Sequence, residues 1–282
     1  MALTVLALVL TSALLHAAWN AMLKRSREPE VAVLAMIAIG AASAVGVALA
    51  LRVPFPPRAS VVWSIGAGVL EAGYLITLAR ALSRAPFGAV YTIARGGALL
   101  VVWPISIALL GEALTAPRAA GTVLVLAGLA ATSWKTRPAS ERASERSGLA
   151  WAAVCAVFIG AYHLAYKLAL TEGGNAPAAD AISLSTAATL NLSIAGPAKL
   201  RAAVRALRAE PGRILTGGVF ANLSFLLFLF AMAQGGAGVL LTLRNTSILF
   251  ALGFAFALGE RPGRLGLVGV ALVFAGAVLL AL

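Results

Sequence analysis

"KTRPASERASERSG", residues 135–148, is the longest polar stretch in a chain of 282 residues. It decides the fold because the sequence on either side is almost wholly apolar. Ten runs of about 20 apolar residues, the length that spans a bilayer, can be drawn around it. Five precede it, near 3–23, 31–51, 61–82, 87–110 and 114–134. Five follow it, near 149–170, 179–199, 214–233, 238–258 and 265–282. The runs are continuous, whereas barrel strands alternate over about ten residues. Helices close their own backbone hydrogen bonds in lipid. The expectation is an all-α membrane protein of ten transmembrane helices.

Composition agrees. The chain is 61% hydrophobic and 11% charged, with mean hydropathy +0.96. A soluble domain is about 45–50% apolar and about 25% charged. The net charge of +12 does not point to nucleic acid, because the charges cluster between apolar runs with no basic face of interleaved aromatics. Cys155 is the sole cysteine, which excludes an intrachain disulfide and a cysteine zinc site. With His16 and His163 the only histidines, neither a metal nor a cofactor is expected. The N-terminus lacks a positive n-region, so it reads as a first span rather than a cleaved signal.

The division into five and five prompts a search for duplication. "WNAMLK" (19–24) lies over "YHLAYK" (162–167), "YTIAR" (91–95) over "LTLRN" (241–245), and "LLGE" ending at Glu112 over "ALGE" ending at Glu260. The matches keep their order. They predict a first repeat over 1–134, a linker over 135–148 and a second repeat over 149–282. An odd number of spans per repeat makes the second enter the membrane from the opposite side. Inverted repeats are a common construction for secondary transporters, with the substrate between the halves near the midplane.

Orientation follows from Lys and Arg. Of 22 such residues, 15 lie in odd-numbered loops and three (Arg52, Arg58, Arg118) in even-numbered ones; Arg80, Arg95, Lys167 and Arg244 fall within spans. This puts the odd loops in the cytoplasm and both termini outside. In loop 7–8, "KLRAAVRALRAEPGR" is readable either as an interfacial amphipathic helix or as an ordinary basic loop.

With these residues in view, the chain resembles EamA-type transporters of the drug/metabolite transporter superfamily. The resemblance is carried by "HAAWNAMLK" (16–24), "YTIARGG" (91–97), the "GE" closing spans 4 and 9, and the paired five-span architecture. It implies a basket of ten helices in the inner membrane and transport of small metabolites, often export of amino acids or related compounds. In many members it also implies cytoplasmic termini, against which the charge count is preferred here.

Polar residues inside spans carry the candidate site, since an ionised group at the bilayer centre costs about 2.5–3.5 kcal/mol or more. Arg95 and Arg244 nearly coincide between the halves, each on the order of 10 Å deep. They read as cavity cations, against snorkelling or a structural bond. Glu71, in span 3, reads equally as a structural partner of Arg95, a binder of a substrate amine or a proton carrier. His16 and Asn20 continue inward from Lys24 at helical spacing, and His163 continues from Lys167. For Lys24, Lys167 and Arg80, interfacial anchoring is the better reading. Tyr74, Trp103, Tyr162, Tyr166, Asn191, Asn222 and Asn245 are weaker candidates. Trp103-Pro104 should bend span 4.

The expected function is alternating-access transport of small polar metabolites, amino acids or related zwitterions and anions such as phosphonates. Arg95 and Arg244 would hold the anionic group, and Glu71 an amine or a coupled proton. The alternative is efflux of lipophilic cations on Glu71. No paired acids, nucleophile motif or metal cluster supports an enzyme. Oligomeric state is not legible.

Overall fold

The computed structural model describes residues 2–82, 84–85, 87–133, 142–257 and 264–281. Among them are eleven helices and no strand. The first half holds α1 (Leu3–Lys24), α2 (Pro29–Ala50), α3 (Arg58–Leu82), α4 (Phe87–Leu110) and α5 (Ala116–Ser133). The second half holds α6 (Arg142–Thr171), α7 (Ala176–Ala209), α8 (Pro211–Met232), α9 (Ala237–Arg244), α10 (Ser247–Ala257) and α11 (Arg264–Ala281). Each of the ten expected segments is helical over most of its described residues. Seven are long and apolar enough to cross a membrane, and Ala116–Ala131 and Ala237–Phe250 are shorter apolar helical segments. Large side chains such as Leu49, Leu100, Leu109 and Phe274 face outward, as a lipid-facing surface requires. The protein is a multi-pass membrane protein.

Three boundaries differ from the expectation. The ninth segment breaks after Arg244, where Asn245 caps α9 and the chain turns before α10. The polar linker shortens, because α6 already begins at Arg142; Ala, Glu and Arg are good helix formers even outside the membrane. The seventh segment runs on into the basic stretch. Gly196, at φ 74°, breaks α7 internally, a backbone conformation glycine adopts without strain. Residues 197–209 then form a helix that leads directly into α8. At that junction Glu210 meets Arg213 and lies 3.7 Å from Arg27 Nε. Arg213 also donates to the Arg25 carbonyl at 2.8 Å. The basic segment is thus joined to the α1–α2 loop.

Sequence sets the ends. Pro29 and Pro211 open α2 and α8 at the first helical turn, where a missing N–H costs nothing. Asn175 caps α7 by accepting from Ala178 N at 2.9 Å. Its amide nitrogen also donates to the Pro54 carbonyl at 3.0 Å, joining the α6–α7 and α2–α3 loops.

The principal packing pairs are α1 with α8, α3 with α6, α2 with α7, and α5 with α11; α4 packs on α6 and α9, α1 on α10. Exchanging the five segments of the first half with those of the second leaves these pairings in place. The α1–α8 contact becomes α6–α3, and α2–α7 and α5–α11 map onto themselves. Glycine permits the closest of them. A Cβ at Gly121 would come within 2.8 Å of the Gly276 carbonyl, and one at Gly276 within 2.6 Å of the Gly121 carbonyl. Small residues on both faces let membrane helices touch backbone to backbone.

Candidate functional site

A cavity opens among α1, α2, α3, α6, α7, α8 and α9. Its polar wall comprises His16, Glu71, Tyr74, Tyr162, Asn222 and Arg244; Trp19 and Phe225 add aromatic surface.

Each polar residue is placed by its helix. Arg244 ends α9, and its guanidinium carbon lies 4.9 Å from the Phe225 ring centroid and 4.5 Å from that of Phe228. Such stacking holds a desolvated cation. It also donates to Ser224 Oγ at 3.2 Å. Ser224 in turn exchanges bonds with Ser12 across α1 and α8, at 2.6 and 3.0 Å. Glu71, on α3, accepts from the Tyr166 hydroxyl at 3.1 Å. Asn222, one turn before Phe225 on α8, is 1% exposed, and neither end of its amide has a hydrogen-bond partner among the described residues. A buried amide with both ends unmet is costly, so its position on the cavity wall marks a place where a ligand can bond.

The remaining expected residues divide. His16 lines the cavity, and its Nε2 meets the Arg95 guanidinium; its Nδ1 lies 3.2 Å from the Trp19 indole N–H. Arg95 is buried behind His16 and is not among the residues lining the cavity. His163 lies behind Tyr162, stacked on it at 4.2 Å between ring centroids, with Nδ1 2.7 Å from the Ile159 carbonyl. Asn20 turns back to the His16 carbonyl at 2.7 Å. Trp103 donates to Thr242 Oγ1 at 3.2 Å, joining α4 to α9, and Asn245 forms the α9 cap. Asn191 bonds the Ala187 carbonyl within its own helix.

Lys167 differs from its reading as an interfacial anchor. Its ammonium donates to the carbonyls of Met232 and Gly235, both at 2.8 Å, closing the end of α8. Glu112 closes the facing end of α9: its carboxylate accepts from Gly238 N at 2.9 Å and Val239 N at 3.0 Å. A carboxylate at a helix N-terminus satisfies orphan donors and complements the helix dipole. Both sets of bonds lie at the end of the bundle carrying the even-numbered loops, and those of Glu112 join the first half to the second. The cavity lining instead reaches His16 and Trp19 near the end of α1, and Val33 and Met36 near the start of α2. The side chain of Lys24, that of Thr92, and Glu260 lie outside the described residues.

One buried acid escaped the sequence reading. Asp180, on α7, is 0% exposed, and both its carboxylate oxygens lack a hydrogen-bond partner among the described residues. The signal was present as an acid inside an apolar run, but it fell at the drawn edge of span 7, where charge reads as boundary.

Residues 146–282 match the model of the EamA-like transporter family. This match, over the second half of the chain, indicates an EamA-type transporter of the drug/metabolite transporter superfamily. A solved crystal structure has the same fold as this chain, with a TM-score of 0.74 at 21% identity, covering 99% of this chain and 97% of that chain. No curated protein matches the sequence.

Proposed function

We propose that this EamA-type transporter exports small zwitterionic metabolites, amino acids or close relatives such as phosphonates, across the inner membrane by alternating access. The observation that carries the reading is the cavity wall itself. Arg244, Glu71 and the unmet Asn222 amide face one space. A cation and a carboxylate on one wall suit a ligand carrying both charges. Arg244 takes the carboxylate or phosphonate, Glu71 the ammonium and Asn222 a neutral polar group. Arg95 acts behind His16, fixing its ring rather than meeting substrate.

The alternating-access reading is supported by the exchange pattern of the helix pairs, which suits two inverted repeats, 1–134 and 149–282, joined through residues 135–148. In this account the state described is open toward the odd-numbered loops and closed at the other end by Lys167 and Glu112. Rocking the halves would break the Glu112 bonds to α9 and form their counterparts at the opposite end. The Lys and Arg bias puts the open end in the cytoplasm.

The test is a transport screen in proteoliposomes against amino acids, phosphonates and lipophilic cations. Zwitterion transport that falls at least tenfold in Arg244→Ala and in Glu71→Gln is expected. The aromatic wall of Trp19, Tyr74, Tyr162 and Phe225 favours a second reading, efflux of lipophilic cations. Cation movement abolished by Glu71→Gln and untouched by Arg244→Ala would establish that reading in place of the first.

A further inference from the structure

The basic stretch after span 7 belongs neither to the cavity nor to the bonds that close its far end. The sequence allows an amphipathic helix or a solvated loop there, and the structure makes it helical over 197–209. Residues 176–195 of α7 are about 30 Å long at 1.5 Å per residue, enough to cross the hydrocarbon core by themselves. With 22 residues, α8 also crosses alone. Residues 197–209 are therefore not needed inside the bilayer. Gly196 breaks the helix at their start, and α8 begins directly after Glu210 at their end. A span that leaves the bilayer and the next one that re-enters it meet the same surface. The helix between them, about 20 Å long, runs along that surface.

Its two faces differ. Ala203 is buried, and Ala206 and Leu207 pack against Ala32, Met36 and Ile214 in the first two turns of α2 and α8. That face holds the helix to the bundle. Arg201, Arg205 and Arg208 follow one another by four and three residues on the opposite face, and all three are exposed. Val204, 50% exposed, lies beside them. Among the described residues, none of the three guanidinium groups has a hydrogen-bond or ion-pair partner. Other cations at this end are engaged within the protein. Arg213 meets Glu210 and the Arg25 carbonyl, Arg27 lies near Glu210, and Arg80 stacks on the Trp151 ring at 4.6 Å. Glu28 and Glu30 are exposed on the α1–α2 side and form no ion pair with the three arginines. A loop that only sets topology needs positive charge, but neither a packed helix nor a common face. Three cations in a row at the bilayer surface, with an apolar side chain next to them, fit the headgroup region.

We propose that the exposed face of residues 197–209 binds anionic phospholipids, with Arg201, Arg205 and Arg208 on their phosphate groups and Val204 at the acyl boundary. A guanidinium fork matches phosphate oxygens in pairs. Zwitterionic phospholipids offer the same phosphate beside a cation of their own, so headgroups of net negative charge are preferred. The bound lipids anchor the connection between α7 and α8 at the membrane surface. Through Glu210 and Arg213 that connection is joined to the α1–α2 loop, so the anchor steadies the end of the bundle at which α1 and α2 meet. The inference rests on the membrane-spanning architecture and not on what the cavity carries.

Native mass spectrometry of the full chain, released from nanodiscs holding phosphatidylglycerol and phosphatidylcholine in equal amounts, counts the lipids each protein retains. The wild type should keep phosphatidylglycerol in preference. Arg201→Gln, Arg205→Gln and Arg208→Gln together should lower that preference about threefold or more, because the three charges act on one surface. The same three positions changed to Lys keep the charge and guard against a folding defect; that variant should hold most of the preference. A nitroxide on Val204→Cys, with Cys155 replaced by Ala, should be shielded from a water-soluble nickel chelate in phosphatidylglycerol bilayers. The proposal is overturned if the triple Gln variant keeps the full preference, if the triple Lys variant loses as much as the Gln one, or if the nitroxide is as open to the chelate as a label in free solution. Displacement of the lipid by inorganic phosphate at matched ionic strength would mark a free-phosphate site and likewise overturn it.

Discussion

At the residue scale, the proposed site separates side chains that stabilise from side chains that would meet a ligand. Arg244 does both, since its stacking and its bond to Ser224 anchor α9 while it faces the cavity. Asn222 does only the second. Asn222→Leu should therefore weaken binding about tenfold, the equivalent of about 1.4 kcal/mol. Thermal unfolding should hold steady or rise, because the variant removes an unmet buried amide. Titration of the purified transporter with an amino acid it carries, beside a melting curve, checks both halves of that statement. His16, Glu71 and Arg244 were legible in the sequence because charge and imidazole are conspicuous in a span. Asn222 was only one weak candidate among several amides. Its lack of partners is set by what α1, α2 and α3 bring opposite it, and no local pattern encodes that. Arg95 was legible as buried but not as second in line, since the ring of His16 between it and the cavity comes from another helix.

At the element scale, two devices hold the helices. The α5–α11 contact depends on the absence of side chains at Gly121 and Gly276. Gly276→Leu should force the helices apart, cost about 1–3 kcal/mol or more, and lower the thermal midpoint without altering the cavity polar wall. Glu112 and Lys167 hold the α8–α9 junction. Glu112→Gln weakens two bonds to backbone N–H groups and should cost about 1 kcal/mol. By loosening the closed end it should raise labelling of a cysteine placed near Gly235, on a background in which Cys155 has been replaced. The sequence marked Glu112 as part of a repeated "GE", yet its partners 126 and 127 residues away were beyond any spacing argument. Helix existence was legible throughout, because apolar run length decides it. The breaks were not. Gly196-Pro197 was visible as a dipeptide, but the break after Arg244 carries no glycine or proline.

At the scale of the whole molecule, the exchange pattern of helix pairs suits the proposed account, in which the two halves cross the bilayer in opposite senses. In that account the Lys and Arg bias puts the basic end, with Glu210, Arg27 and Arg213, in the cytoplasm. A phosphatase reporter fused after Leu282, active only outside the cytoplasm, should be active; a fluorescent protein that matures only inside should stay dark. The central claim is that one cavity reads two charges at once. The direct measurement is efflux from proteoliposomes of three matched compounds: an amino acid, the amine left by removing its carboxylate, and the acid left by removing its ammonium. The wild type should move the amino acid at least tenfold better than either relative. Arg244→Gln should abolish its preference over the amine, and Glu71→Gln its preference over the acid. Faster movement of the amine than of the amino acid, unaffected by Arg244→Gln, would contradict the account.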